Sequence, residues 1–287
     1  MINCPKCYSV DVRKDGMGHS NEQHYRCKEC NHYFNERTPS GAKVLCFDIE
    51  TSPNVGYFWG VWQQNISHIQ IIEPWHCFTW AAKWLYDNEV MSDSLTPKEA
   101  RNHSDRRIVK SLWKLFDQAD ILIAHYGDGF DIPRMNTRFL LHDLGIPSPY
   151  RSIDTKKIAS QRFAFNHNKL DALAREFGIG HKVDTGGFGL WDECYHGDKE
   201  SLAKMLKYNK KDVLLLEEVY LILRAWAKSH PNMNLWQKED GCSHCGSLEI
   251  RSKGHYITQV NKYRSFVCEN CGAYSRETKK SYASLAR

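Results

Sequence analysis

The chain has 287 residues, 41% of them hydrophobic, enough to bury a full core and still carry one or two small appendages. No run approaches the ~18 apolar residues that span a bilayer. The N-terminal residues also lack the apolar stretch of a secretory signal, so a cytoplasmic protein is expected. The net charge of +5 is uneven: residues 1–40 carry six Lys/Arg and five Asp/Glu, or +1, whereas residues 240–287 carry eight and four, or +4. A basic end beside a near-neutral middle points to a polyanionic partner, the alternative being Lys and Arg that merely solvate a small module.

The first forty residues read as a zinc ribbon. Of the eleven cysteines, eight form four Cys-x-x-Cys pairs, Cys4/Cys7, Cys27/Cys30, Cys242/Cys245 and Cys268/Cys271. This spacing fits zinc coordination in a reducing compartment better than disulfides. Four thiolates complete a tetrahedral site without His19, His24 or His32, and so small an apolar content predicts folding that depends on the metal. The pattern resembles the zinc ribbons at the front of some transposases and transcription proteins. Cys46, Cys77 and Cys194 sit among apolar or aromatic neighbours and are expected to be buried small hydrophobes.

Residues 44–51 form the stretch on which the middle of the chain turns. Apolar, β-favouring residues lead to Asp48 and Glu50, then to a polar turn. Positions i and i+2 of a strand share a face, so the two carboxylates project together. On a buried strand they repel and lose hydration unless a hard cation such as Mg²⁺ or Mn²⁺ neutralises them. At a strand end open to solvent, both would simply be hydrated.

An aromatic-rich region follows, with Trp59, Trp62, Trp75, Trp80 and Trp84. Residues 66–72 and 77–84 predict two more strands in an antiparallel meander, the tryptophans serving mostly as core or strand-pairing residues, with base stacking the alternative role for one or two. Thr96 and Glu99 have capping-box spacing before Ile108, Leu112, Leu115 and Phe116, which predicts a helix ending near residues 118–120. Residues 121–124 are a short, wholly apolar strand, as in a covered sheet.

Gly127 and Gly129 make the next loop tight, and Asp131 opens a helix that Pro133 starts. As an isolated residue, Asp131 could equally be an N-cap, and Asp128 reads as a turn residue. Residues 152–154 end another strand, 170–177 form a helix closed by Gly178, and 184–197 predict a glycine-rich loop past the site. A long helix over about 200–226 places Tyr208 and Asp212 at i and i+4 on one face. Met205, Leu215 and Leu216 are its apolar neighbours, so Asp212 requires a partner.

The C-terminal segment repeats the N-terminal one. Residues 242–254 parallel 4–16, and both run through a Tyr-Arg pair, Tyr25-Arg26 and Tyr263-Arg264, into the second knuckle. The later copy sets Tyr256, Tyr263, Phe266 and Tyr274 among Arg251, Lys253, Lys262, Arg264 and Arg276. Aromatic faces for bases and cations for phosphates make a nucleic-acid surface, though some of the rings must fill the thin core of the ribbon. The expected domains are residues 1–40, 41–232 and 233–287.

Taken in order, Asp48, Glu50, Asp131 and Asp212, with Tyr208 four residues before the last, resemble the DEDD superfamily of 3′–5′ exonucleases in its tyrosine-bearing branch. The resemblance covers residues 42–228. The histidine branch would need His where Lys207 stands. The sequences around 48–53, 127–133 and 208–213 look like phage-encoded exonuclease-like proteins that end in a zinc ribbon, with Tyr126 replacing an Asn common in the family. The resemblance implies a ribonuclease-H-like α/β fold, a mixed five-stranded sheet with helices on both faces. It also implies two Mg²⁺ or Mn²⁺ ions: Asp48 bridges both, Glu50 and Asp212 hold the first, Asp131 supports the second through water, and Tyr208 orients the attacking water. Two structural Zn²⁺ in the ribbons and a DNA substrate, RNA being the other option, complete the expectation. The rivals are a structure-selective endonuclease, a non-catalytic nucleic-acid-binding protein and a transposase-like recombinase.

Overall fold

The computed structural model describes residues 9–17, 23–31, 33–35, 41–237, 239–279 and 282–283. Cys4 and Cys7, and with them half of the first expected zinc site, lie outside the described residues. Its other half is present, with Cys27 buried and Cys30 half-buried. Cys27 ends the middle strand of an antiparallel sheet of β1 (Val12–Met17), β2 (Gln23–Cys27) and β3 (Tyr33–Asn35).

The central sheet begins with β4 (Val44–Thr51), whose chain then leaves the sheet. The strand expected over 66–72 does not form as one element. Residues 68–70 are a turn of 3₁₀ helix, and only β5 (Val55–Gly56) and β6 (Ile71–Glu73) pair, with each other and not with the central sheet. The neighbour of β4 is instead β7 (Cys77–Trp84), followed by β8 (Met91–Ser94).

The single helix expected from Thr96 to about residues 118–120 is two helices. α1 (Pro97–Arg101) has the predicted capping box, with Glu99 N donating to Thr96 Oγ1 and Thr96 N to Glu99 Oε2. α2 (Arg106–Phe116) follows a break. The cause is Asp105, buried at 0% exposure, which accepts Cys77 N at 2.9 Å and pairs with Arg138 and His142. Those long-range bonds hold the turn against the sheet more strongly than propensity continues the helix.

Next come β9 (Ile121–Ala124), α3 (Asp131–Leu141), β10 (Arg151–Asp154), α4 (Thr155–Arg162) and α5 (Leu170–Glu176). The stretch read as a glycine-rich loop contains α6 (Gly189–Tyr195), and the long helix is α7 (Lys199–Leu223), closed by a 3₁₀ turn. The sheet order is β10-β9-β4-β7-β8, the first three parallel and the last two antiparallel. This is the expected mixed five-stranded ribonuclease-H-like sheet.

The period-two alternation of β4 sorts its side chains to two cores. Leu45, Phe47 and Ile49 pack with Ile108, Leu112 and Phe116 of α2 and with Met135 and Phe139 of α3. Val44 and Cys46 pack with α5 and with Val213, Leu216 and Val219 of α7. Asp48 and Glu50 share the parity of Val44 and Cys46, so they face the α7 layer. α7 is tied to the sheet by a buried ion pair, Lys83 of β7 with Glu217, whose other oxygen accepts Tyr86 N at 2.8 Å. Cys46, Cys77 and Cys194 are fully buried, and burial pushes all three thiols up.

The tryptophans divide. Trp80 is buried and donates to Ile108 O, but Trp59 and Trp62 are 99% and 79% exposed, so these two are not the core residues expected of most of the tryptophans.

The last sheet comprises β11 (Ile250–Ile257), β12 (Asn261–Cys268), β13 (Tyr274–Arg276) and β14 (Tyr282–Ala283). It docks on the end of α7, where Tyr220 Oη meets His230 Nε2 at 2.9 Å and His244 Nε2 meets Ala227 O at 3.1 Å. Among the described residues, no helix is long and apolar enough to cross a membrane.

Candidate metal-dependent active site

The C-terminal half of β4 and the middle of α7 bring three carboxylates together. One oxygen from each of Asp48, Glu50 and Asp212 lies within 4.8 Å of the others. Asp212 projects from α7 one helical turn beyond Tyr208, as the i, i+4 spacing requires.

Asp131 lies outside this close trio but belongs to the same charge field. It is the first residue of α3, and its Oδ1 accepts from Ile49 N, between the two β4 acids, at 3.3 Å. That bond serves β4 rather than the helix end, so Asp131 is not a simple N-cap. The loop before it is tight at both its glycines, most of all at Gly127, which lies against Ala124. A Cβ on Gly127 would lie 2.4 Å from the Ala124 Cβ, and one on Gly129 would lie 2.6 Å from the Tyr126 ring.

Burial sets the electrostatics, and mutual repulsion adds to it. Burial raises the Asp48 pKa well above its ordinary value, reinforced by Asp131, Asp212 and Glu50. Glu50 is pushed up to about 8, by burial and then Asp212, and Asp131 to about 7, chiefly by burial. Asp212 is raised by burial as well, against the pull of Lys182. Burial also raises the Tyr208 phenol, so the hydroxyl keeps its proton at neutral pH.

Two side chains that the motifs did not bring forward complete the site. Lys182, on the loop after α5, pairs with Asp212 and donates to Tyr208 Oη at 2.9 Å. Its own backbone N–H is fixed by Asp171 Oδ1 at 2.7 Å. Asn209, fully buried, donates to Asp48 Oδ2 at 2.6 Å. Asn209 had a signal, since an amide beside Tyr208 on a buried helix face needs a partner. Lys182 had none, because it lies 30 residues before Asp212 on an irregular segment. Trp191 of α6 packs edge-on to Tyr208, ring centroids 6.3 Å apart, and walls the site where a loop was expected.

The donor set fits a hard divalent cation. Asp212 Oδ1 is buried with no hydrogen-bond partner, and burial with mutual repulsion raises the pKa of both Asp48 and Glu50, a penalty that a bound divalent cation would offset. In the ion-free protein this crowding has a pH signature. The folded chain holds the Glu50 proton to about pH 8, whereas the unfolded chain releases it near 4.5. Stability from this group is therefore full below pH 4.5 and lost as the pH rises toward 8. Thermal melts without divalent ions should show Tm falling across that window, and added Mn²⁺ should restore it; a flat profile would remove the cluster as a source of strain.

The second metal group is the C-terminal thiol cluster. Cys242, Cys245, Cys268 and Cys271 place their sulfurs within 4.8 Å of one another, with Cys242–Cys271 at 3.5 Å and Cys245–Cys268 at 3.6 Å. These separations are far too long for S–S bonds, and near the ~3.8 Å between thiolates on a tetrahedral zinc. The cluster resembles a zinc ribbon.

The five cations expected to contact nucleic acid all lie on this sheet, and several already have partners. Arg251 pairs with Glu269 at 3.1 Å and Arg264 with Glu277 at 3.4 Å. Arg276 lies 4.0 Å over the Tyr263 ring, which is buried, and 5.4 Å from that of Tyr256, which is exposed. Lys253 is exposed and Lys262 half-buried.

Residues 45–224, from the core of β4 through the end of α7, match the RNase_H superfamily along their length. The chain belongs to the RNase_H superfamily. A DNA polymerase III PolC-type from Ureaplasma parvum serovar 3 is 25% identical over 202 residues, which are 68% of this chain. The match spans 14% of that polymerase. Among solved structures, the family B DNA polymerase from the hyperthermophilic archaeon Pyrobaculum calidifontis is similar with a TM-score of 0.46 and 16% identity. That likeness covers 76% of this chain and 29% of the other.

Proposed function

We propose that the chain is a divalent-metal-dependent 3′–5′ exonuclease of the tyrosine-bearing DEDD branch, acting on DNA. The observation that carries this reading is the meeting of Asp48, Glu50 and Asp212 beside the Tyr208 hydroxyl. The partial likeness to a DNA polymerase favours DNA as substrate. Residues 1–40, 41–232 and 233–287 are taken as N-terminal ribbon, nuclease domain and C-terminal ribbon. The phage-like pattern and the free thiols fit a protein of bacterial cytoplasm.

In this reading Asp48, Glu50 and Asp212 hold two divalent ions, with Asp131 in support. When bound, the ions supply Lewis-acid activation of water and charge stabilisation at the phosphate. The rest is work of the chain itself. Asn209 donates to Asp48 Oδ2 and fixes its rotamer, so the carboxylate that would hold metal is oriented in advance. Lys182 pairs with Asp212 in the ion-free protein, so a divalent ion held by Asp212 would take over the charge that Lys182 offsets. Tyr208, protonated, positions the attacking water by a hydrogen bond and does not act as a base. Hydrolysis breaks the bond between phosphorus and the 3′ oxygen, which leaves with a proton from solvent, and the terminal nucleotide departs as a 5′ monophosphate.

The test uses 5′-labelled single strands of DNA and RNA with Mg²⁺ or Mn²⁺, beside a 3′-blocked copy. The expected result is a ladder shrinking from the 3′ end of DNA and stopped by the block. Cleavage of the blocked strand would make the protein an endonuclease, and binding without cleavage would remove catalysis.

The ribbons are read as nucleic-acid-binding modules, each held by one Zn²⁺. Cys268→Ser should release zinc and weaken strand affinity by roughly tenfold, while the circular dichroism of the nuclease core persists. Unchanged affinity would leave the C-terminal ribbon a structural or protein-docking element.

A further inference from the structure

We infer that the arm formed by residues 53–75, between β4 and β7, is a stacking platform for the bases of an unpaired nucleic-acid strand. This rests on the nuclease reading above and supplies what the acids lack, a means of gripping substrate without regard to its sequence.

The arm is built at its root and bare at its tip. At the root, Ser52 N donates to His76 O at 2.8 Å and His76 N to Ser52 Oγ at 2.9 Å. Further out, Trp75 N donates to Asn54 Oδ1, Tyr57 N to Gln70 O, and Gln70 Nε2 to Tyr57 O, each at 2.9 Å. Gly56 permits this closure, since a Cβ there would lie 2.5 Å from Gln70 O. Yet Trp59, Val61 and Trp62 are 99%, 94% and 79% exposed, and Tyr57, Phe58 and Ile69 are largely exposed as well. A fold that pins the root and leaves this much apolar surface in water has a partner for it.

The chemistry of the arm selects the partner. No Asp, Glu, Lys or Arg occurs between Glu50 and Glu73. Apart from Glu73 at its root, which pairs with His103, the arm carries no charged group, so it offers ring faces but no Lys or Arg with which to track a duplex backbone or an anionic membrane. Bases inside a duplex are already stacked; those of a single strand have free faces, and every base has one.

The position of the arm also selects the partner. It leaves the sheet at the end of β4, three residues after Glu50. A cleft of about 410 Å³ separates it from α6, with Gly56, Phe58 and Ile71 on one wall and Phe188 and Tyr195 on the other. Where the arm returns, Arg134 lies 4.4 Å over the Trp75 ring and donates to Thr51 Oγ1 at 3.3 Å. A cation thus stands at the root of the arm, within the charge field of Asp131, suited to the phosphate of a strand lying along the arm.

The test measures fluorescence anisotropy of a short 5′-fluorescein oligothymidylate and of a blunt duplex, with the full chain and no added divalent ion. Trp59→Ala combined with Trp62→Ala should weaken single-strand binding about tenfold or more while leaving duplex binding unchanged. Trp59→Phe with Trp62→Phe keeps ring faces and should stay near wild type, which guards against a variant that simply misfolds. The wild type should also show tryptophan quenching by unlabelled oligothymidylate that the Phe pair reduces. Unchanged single-strand affinity in the Ala pair would overturn the inference, as would equal losses on strand and duplex. So would a dimer that dissolves in the Ala pair with strand affinity intact, since the arm would then belong to a second copy of the chain. Cleavage is scored separately: a wild type that binds through the arm but cuts nothing refutes the nuclease and not the platform.

Discussion

Asp48→Asn is expected to remove cleavage and, in the same protein, to raise the Tm of the ion-free form. The first effect follows from its place. Asp48 is the acid whose neighbours include Glu50, Asp131 and Asp212, and in the proposed reading it holds the divalent metal, through which several kcal/mol of transition-state stabilisation would pass. That is about a thousandfold or more in rate. The second effect follows from its environment. Asp48 is penalised by burial and then by three other carboxylates, so a neutral isostere relieves strain wherever no cation offsets it. Each 1 kcal/mol gained is about 2–4 °C in a domain of this size. Asp212→Asn should also lose cleavage but without the gain, because it strands Lys182 without its carboxylate partner. Tyr208→Phe should cost less, about ten- to hundredfold, since it removes one positioning hydrogen bond. Single-turnover cleavage beside ion-free melts separates these cases. Asp48→Asn with full activity would end the site assignment, and loss of activity with a falling Tm would make Asp48 a structural residue.

The parts of this site that were legible in the sequence are those fixed by local periodicity. Asp48 and Glu50 share a face because strands alternate, and Tyr208 and Asp212 share one because helices return after four residues. The paired cysteines were legible because zinc ligands come in knuckles of fixed spacing. What stayed hidden depends on groups distant in sequence. Lys182 reaches Asp212 only because the fold folds a loop back over α7. The break between α1 and α2 reflects Asp105, which Cys77 N of β7 and Arg138 and His142 at the end of α3 hold from two distant places in the chain. The aromatic arm misled for a different reason. Alternating rings and aliphatics between two strands look like core by composition, and composition does not say whether a second layer covers them. At Trp80 α2 does; at Trp59 nothing among the described residues does.

Glu217→Ala should be among the most damaging substitutions away from the acids. Glu217 and Lys83 are side chains with about 11% and 7% exposure, so each charge lies out of water. Removing one leaves the other buried and unpaired, at a cost of about 3–5 kcal/mol, a large share of the stability of a domain. Lys83 lies on β7 opposite Cys46 of β4, and Glu217 follows Asp212 on α7 by five residues. The pair therefore sets how the helix sits on the sheet, and with it the distance between Asp212 and Asp48. Loss of Glu217 should lower both the Tm and the affinity for Mn²⁺, although Glu217 is not a ligand. Lys83→Met combined with Glu217→Met tests the cause, because two apolar chains of similar length remove both charges together and often restore stability. Recovery of Tm and of Mn²⁺ affinity in the double variant would show that the single loss came from the stranded lysine. A double variant as unstable as the single would instead assign the effect to the bond from Tyr86 N to Glu217 and to packing around it.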